Sequence, residues 1–229
     1  MEVRIRNLLR GARKAEGTVV IIDVYRAFTT EAIAFLQGAD RIVLVGKIGE
    51  ALELRRKGVG SYCIGEVEGR RPEGFDFGNS PFELKQVDLV EKTLIHCTMA
   101  GTVGVDAAKM AKHIYAGALV TAEATVKAIL GIGPDLVTLV PMGWAGRIPT
   151  DEDEQCALYM RNLLQGRKPD KNSVRALVLV GEESQKFGDP ERPHFHLYDR
   201  ELSLKIDEVP FAIRVTHEDG FLVARPEFV

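Results

Sequence analysis

Short apolar runs alternate with amphipathic stretches along most of this chain, at a regular interval. Val19-Val20-Ile21-Ile22 is an unbroken aliphatic run, which suits a strand buried on both faces. Thr29, Thr30 and Glu31 precede Ala32-Ile33-Ala34-Phe35-Leu36, a pattern that predicts a helix with a hydroxyl cap, closed by Gly38. Further strands are predicted at 41–45, 62–64, 93–96, 113–116 and 136–140, with helical spacing at 48–56, 103–112, 122–130 and 152–165. A short helix is predicted from Pro81, capped by Asn79 or Ser80. This βαβα order predicts a three-layer α/β/α fold, with a mainly parallel or mixed sheet covered by helices on both faces. Beyond about residue 170 the pattern loosens: 174–187 reads as helical and 188–193 as a polar loop. Residues 211–215 and 221–224 read as a C-terminal β-hairpin across His217-Glu218-Asp219-Gly220. Residues 1–229 are read as one domain.

Charge and cysteine usage narrow the function classes. The net charge of −3 comes from interspersed acids and bases, which argues against a dedicated nucleic-acid surface. No apolar run approaches the roughly 20 residues that span a bilayer, and no leader-like apolar stretch follows the basic start. A soluble cytoplasmic protein without membrane partners is the expectation. Cys63, Cys97 and Cys156 form no CxxC pair, so reduced, packed thiols are expected rather than disulfides or a zinc site. A homodimer is expected only from the frequency of such assemblies.

Polar chemistry concentrates where predicted strands end. Asp23, Arg26, Thr29 and Thr30 form the first cluster, and the Gly- and charge-rich loop from Gly65 to Pro81 the second. The third is His96-Cys97-Thr98-Met99-Ala100-Gly101-Thr102, and the fourth runs from Pro141 through Trp144 and Arg147 to Asp151-Glu152-Asp153-Glu154. In a parallel sheet the C-terminal ends of the strands share one rim, where such clusters can converge. Asp23 follows four apolar residues directly, where a carboxylate is costly to desolvate without a partner or a metal; Arg26 is a candidate partner. Acids at 151–154 also suit a helix N-terminus as simple dipole complements. No Walker or dinucleotide fingerprint is present.

These residues resemble the 2-phosphosulfolactate phosphatases of the ComB family. The resemblance rests on Asp23-Val24-Tyr25-Arg26-Ala27-Phe28-Thr29-Thr30, Gly65-Glu66, Glu73-Gly74-Phe75-Asp76-Phe77-Gly78-Asn79-Ser80-Pro81, Gly101-Thr102, and Glu152-Asp153 with Cys156-Ala157. It spans roughly Val19 to Gln165, and the GFDFGNSP segment is its most specific part. It implies a magnesium-dependent phosphoric monoester hydrolase that converts 2-phosphosulfolactate to sulfolactate and phosphate in coenzyme M biosynthesis. The chain departs from the family pattern at Val67, where an arginine is usual, and at Ala100, where an asparagine is usual. A related phosphorylated hydroxy acid is therefore an open alternative substrate.

Joined to the reaction's needs, the resemblance suggests roles. Phosphate-ester hydrolysis needs a charge-neutralising cation, donors to the phosphoryl oxygens and a positioned attacking oxygen. Asp23, Glu152 and Asp153 are the candidate Mg2+ ligands. Asp23, Arg26, Glu66 and Asp76 are the candidate catalytic set. Thr29, Thr30, Asn79, Ser80, Gly101 and Thr102 are candidates for holding a small anionic phosphorylated substrate, and Arg70 or Arg147 for its second anion. Two other classes stay open: a catalytically degenerate small-anion binder, and an α/β lyase or transferase acting on an anion.

Overall fold

The Val19–Ile22 run lies at the heart of strand β2 (Gly17–Ile22), whose residues from Thr18 onward are all buried. In the computed structural model, which describes residues 1–229, it belongs to one nine-stranded sheet. The other strands are β1 (Glu2–Ile5), β3 (Arg41–Val45), β4 (Tyr62–Gly65), β5 (Thr93–Cys97), β6 (Ala111–Gly117), β7 (Leu136–Pro141), β8 (Phe211–Glu218) and β9 (Phe221–Phe228). Their order is β1-β7-β2-β6-β8-β9-β3-β5-β4. The helices are α1 (Leu8–Ala12), α2 (Ala27–Leu36), α3 (Ile48–Arg56), α4 (Pro81–Leu84), α5 (Gly101–Ala107), α6 (Ala122–Ile132), α7 (Asp151–Leu164), α8 (Lys171–Val180) and α9 (Leu197–Ser203). The α/β class, the mixed sheet and the C-terminal hairpin agree with the pattern of the sequence.

One expectation about the rim does not hold. Strands β1, β7, β2 and β6 are mutually parallel, as are β3, β5 and β4, but the β8–β9 hairpin joins the two runs through three antiparallel pairings. Three reversals set the second parallel run against the first. One apolar cluster nonetheless spans both runs: it takes Val19 and Ile21 from β2, Ile213 and Val215 from β8, Ala224 from β9, Ile42 and Leu44 from β3, and Leu94 from β5. Helix α2 packs into that cluster. Every residue from Ala27 to Phe35 is buried, which suits a helix that is apolar nearly all round.

The opposite face carries two smaller clusters. Val20, Ile22 and Leu139 pack against α6, α7 and α8, and Val43, Val45 and Ile95 pack against α3. The C-terminal hairpin is thus no appendage, since it fills the middle of the sheet of its own chain. Phe211 meets Phe35 and Phe228 edge-on at 6.1 and 5.4 Å. Ile213→Val is expected to lower unfolding stability by about 1 kcal/mol, read from the midpoint of urea denaturation at unchanged slope.

Local boundaries shift for identifiable reasons. Helix α2 starts at Ala27, with Arg26 at its N-cap, so the two threonines fall inside it and cap nothing. Helix α5 starts two residues earlier than predicted, at Gly101, and ends by Ala107. The predicted helix at 174–187 is α8, which Gly181 ends, followed by a separate 3-10 turn at Glu183–Lys186. Strand β1 and helices α1 and α9 have no counterpart in the sequence pattern. No helix is long and apolar enough to cross a membrane.

Candidate active site

Asp23 stands one residue past β2, buried to 6% exposure, with both carboxylate oxygens held by backbone amides. The N–H of Ala27, at the start of α2, donates to Oδ1 at 3.1 Å, and the N–H of Gly101, at the start of α5, donates to Oδ2 at 2.9 Å. Gly101 is small because it has to be: a Cβ there would lie 2.9 Å from the Cβ of Ala27 and 3.0 Å from Oδ2 of Asp23. Two helix starts therefore fix one carboxylate. Burial pushes its pKa up to about 6, and the charge of Glu66 adds to the rise.

Asp153, in the first turn of α7, is built the same way. Its Oδ1 accepts from the N–H of Val24 and its Oδ2 from the N–H of Gly143, each at 2.8 Å, which ties the β2–α2 turn to the loop after β7. Glu152 beside it is 4% exposed, and its Oε2 has no hydrogen-bond partner. Burial raises both pKa values well above the ordinary carboxylate range; Asp23 pushes Asp153 higher, and Asp153 pushes Glu152 higher. The acidic start of α7 is thus more than a dipole complement. Glu66 joins the third side, accepting from the N–H of Gly69 at 2.8 Å and from that of Met99 at 2.9 Å.

These acids line one cleft together with Asn79, Trp144, Glu183 and Phe195. Asn79 is buried, and its Oδ1 lacks a partner too. The donor set fits a hard divalent cation such as Mg2+: every candidate ligand is an oxygen, two buried acceptors await a partner, and the surrounding carboxylates lack a neutralising charge. Asp23, Glu152 and Asp153 do not form the three-acid set expected from the sequence, for no three His, Cys, Asp or Glu side chains are grouped closely enough to hold a metal by themselves. Mg2+ does not require such a cage, since it keeps several waters and binds through one or two carboxylates and substrate phosphate.

Arg26 has a different role from the one its position suggested. It lines the cleft, yet its Nη1 donates to Asp199 Oδ2 at 2.7 Å and to the carbonyl of His194 at 2.8 Å, and its Nη2 to the carbonyl of Gly69 at 3.0 Å. Phe195 and Phe187 cover the guanidinium at 5.0 and 5.9 Å from their ring centroids. Its ion partner is therefore Asp199, fully buried on α9, and not Asp23. Only Nε and one Nη2 proton are left for a ligand.

Several expected anion contacts are occupied elsewhere. Thr29 Oγ1 donates to the carbonyl of Val24 and Thr30 Oγ1 to that of Arg26, both at 2.9 Å in full burial, as hydroxyls inside a helix do. Thr102 exchanges bonds with Thr98, and the Gly101 amide is taken by Asp23. Ser80 caps α4 and donates to Asp199 Oδ1 at 2.7 Å. Asp76 accepts from the N–H of Cys63 and pairs with Arg55 at 2.9 Å, outside the cleft. Arg70 and Arg147 are exposed and line a neighbouring groove and no cleft wall, respectively. Of the two family departures, Ala100 lines the cleft and Val67 is exposed.

A second buried pair lies under the cleft. Glu31 of α2 meets His96 Nδ1 of β5 at 2.8 Å with neither side chain exposed, and burial raises the Glu31 pKa. Together with Asp23, Glu152 and Asp153 this makes four acids that hold protons more tightly folded than unfolded. The folded state then binds more protons than the unfolded chain above about pH 4, so stability falls as pH rises through about 6 and beyond. His113 and His194, whose pKa values burial lowers, act in the opposite sense but are largely solvated. In chelator-containing buffer the melting temperature is expected to fall between pH 5 and pH 7.5, and added Mg2+ to raise it more at pH 7.5 than at pH 5. A melting temperature that climbs over that range would contradict this assignment.

Comparison with known proteins agrees with the geometry. The family model described as 2-phosphosulpholactate phosphatase matches residues 4–191. A Carboxydothermus hydrogenoformans protein described as a probable 2-phosphosulfolactate phosphatase is 38% identical over 160 residues, 70% of this chain and 66% of that protein. Proteins of the same description from Clostridium novyi and Bacillus subtilis are 31% and 29% identical, over 69% and 79% of this chain and 67% and 78% of their own lengths. The aligned part of this chain thus spans about two thirds of the Carboxydothermus and Clostridium relatives. The matched stretch contains Asp23, Glu66, Asn79, Glu152 and Asp153, the residues that converge on the cleft, and the chain belongs to the 2-phosphosulpholactate phosphatase family.

Proposed function

We propose that the cleft hydrolyses the phosphate ester of a small acidic hydroxy acid, 2-phosphosulfolactate being the first candidate, with Mg2+ as cofactor. The observation that carries this reading is the convergence of Asp23, Glu66, Glu152 and Asp153 on one partly buried cleft whose only lining guanidinium is already neutralised by Asp199. Such a cleft repels a phosphate dianion unless a cation enters with it. The cation would be held by Asp23 and one of Glu152 or Asp153, with the Asn79 side-chain oxygen and water completing its shell. Bound there, it would neutralise phosphate charge and lower the pKa of water.

The chain's own groups supply position and proton transfer. Asp23 is fixed through both oxygens, and its carboxylate, kept ionised by the cation, is placed to accept a proton from the attacking water. The remaining Arg26 protons and the Asn79 amide are the side-chain donors lining the cleft that are available to the phosphoryl oxygens. Phe195 and Trp144 wall the cleft against bulk water. The test is phosphate release from a panel of phosphorylated hydroxy acids, with and without chelator. Release from 2-phosphosulfolactate that stops with chelator and returns with Mg2+ supports the reading. Absence of release from every member, by protein that still binds ligand, refutes it and favours a degenerate anion binder. The coenzyme M step implied by the family resemblance rests on the same substrate.

A further inference from the structure

Glu31 and His96 place a polar bond where the sheet face is otherwise aliphatic. On β5, His96 stands between Leu44 of β3 and Ile64 of β4, both members of the large apolar cluster, and neither Glu31 nor His96 has any exposed side-chain surface. One bond, between Glu31 Oε1 and His96 Nδ1 at 2.8 Å, joins them, while Glu31 Oε2 and His96 Nε2 are left without partners. Two aliphatic side chains of similar size would pack there without those two uncompensated atoms. Stability does not account for the pair. A polar pair kept at a place that favours apolar packing points to a functional demand.

That demand is visible one turn away. Ala27 and Glu31 are four residues apart on α2, so they share one face of the helix, and it is the Ala27 N–H that donates to Asp23 Oδ1. His96 is five residues before Gly101, whose N–H donates to Asp23 Oδ2. The chain between them is braced: the N–H groups of Thr98 and Thr102 donate to each other's Oγ1 at 3.0 and 3.2 Å across the turn from β5 into α5. No other hydrogen bond joins α2 to β5 or α5. The two amides that hold Asp23 therefore belong to two elements with a single polar tie between them. The tie also lies within electrostatic reach of the carboxylate, for burial raises the Asp23 pKa and His96 is among the groups that oppose the rise.

We propose that the Glu31–His96 pair is a positioning device for Asp23, holding the starts of α2 and α5 in register so that both amides aim at one carboxylate. For its effect on turnover the proposal rests on the phosphatase reading, and it deepens that reading by adding two residues that do not line the cleft. Without the tie, the two helix starts are free to slide against each other over an aliphatic contact that has no preferred register. A misplacement of about 1 Å at a reacting group costs up to about a hundredfold in rate, so a small slide is enough to be read in kcat.

Glu31→Met combined with His96→Leu replaces the bond by packing, whereas Glu31→Gln alone keeps a partner for His96 Nδ1. The double variant is expected to melt at or above the wild-type temperature, yet to exchange the Ala27 and Gly101 amide hydrogens about tenfold faster while the β2 amides keep their protection. Its kcat for phosphate release from 2-phosphosulfolactate is expected to fall about tenfold with KM within about twofold of wild type. Glu31→Gln is expected to keep kcat within about threefold of wild type and both amides protected. A purely structural pair would instead change the protection of all amides together and leave kcat intact in any variant that folds. Wild-type exchange and kcat in the double variant, or its failure to fold while Glu31→Gln behaves as wild type, overturns the proposal. A tenfold loss of kcat in Glu31→Gln with wild-type exchange would assign the effect to charge and overturns it as well. Absence of phosphate release by the wild type would refute the phosphatase reading alone, and exchange of the two amides would still decide the positioning.

Discussion

Asp23→Asn is expected to lower kcat for phosphate release by about a thousandfold while leaving the protein folded. The loss follows from chemistry at one atom group: the amide cannot accept a proton from water and brings no negative charge to a hard cation. The fold survives because the substitution also removes a buried charge, which offsets the lost acceptor. Asparagine has one acceptor oxygen for the two amides, Ala27 N–H and Gly101 N–H, that Asp23 satisfies. A melting temperature within a few degrees of wild type and a collapse of kcat without a matching rise in KM is the signature to look for. Retention of a tenth or more of the wild-type kcat would remove Asp23 from the chemistry.

Asp199→Ala is expected to be the most destabilising single change, at about 3–5 kcal/mol in urea denaturation. It strands the guanidinium of Arg26, which is 3% exposed, and removes the acceptor of the Ser80 hydroxyl and the Phe82 amide. Restoring an apolar match with Arg26→Leu and Asp199→Leu together is expected to recover much of the loss, since the cost comes from an uncompensated buried charge rather than from the absence of the pair. A single variant within about 1 kcal/mol of wild type would mean that Arg26 does not clamp these loops.

Much of the architecture is legible in the sequence because burial on two faces leaves an unbroken signal. The run before Asp23 specifies β2, and the alternation around His217–Gly220 specifies the hairpin. Its central place in the sheet is not legible, because local pattern does not encode which strands pair across more than a hundred residues. Strand β1 is a four-residue edge with weak Val3 and Ile5 alternation, too short to separate from a loop. In the site, Asp23, Glu66, Asn79, Glu152 and Asp153 are found by their place after apolar segments and in the GFDFGNSP pattern, and all of them line the cleft.

The misread residues share one cause. Polar side chains next to a site satisfy backbone groups as readily as ligands, and sequence does not say which. Thr29 and Thr30 are turned inward once α2 begins at Ala27, and Arg26 and Ser80 are drawn to Asp199. Asp199, Glu183 and Phe195 lie in the stretch past residue 170, where short helices and a polar loop carry no sustained period. Two conspicuous histidines there serve structure: His194 offers its carbonyl to Arg26, and His196 caps α9 and stacks on Phe82 at 4.3 Å.

The central claim is that the acid-lined cleft acts on phosphate only with a divalent cation seated at Asp23. Anomalous diffraction from crystals soaked with Mn2+ and orthophosphate tests it most directly. The account predicts a manganese peak in contact with the Asp23 carboxylate and with at least one of Glu152 or Asp153, and phosphate on its open side. A cleft that binds phosphate with no manganese peak, or a peak only elsewhere in crystals of protein that releases phosphate, would contradict it.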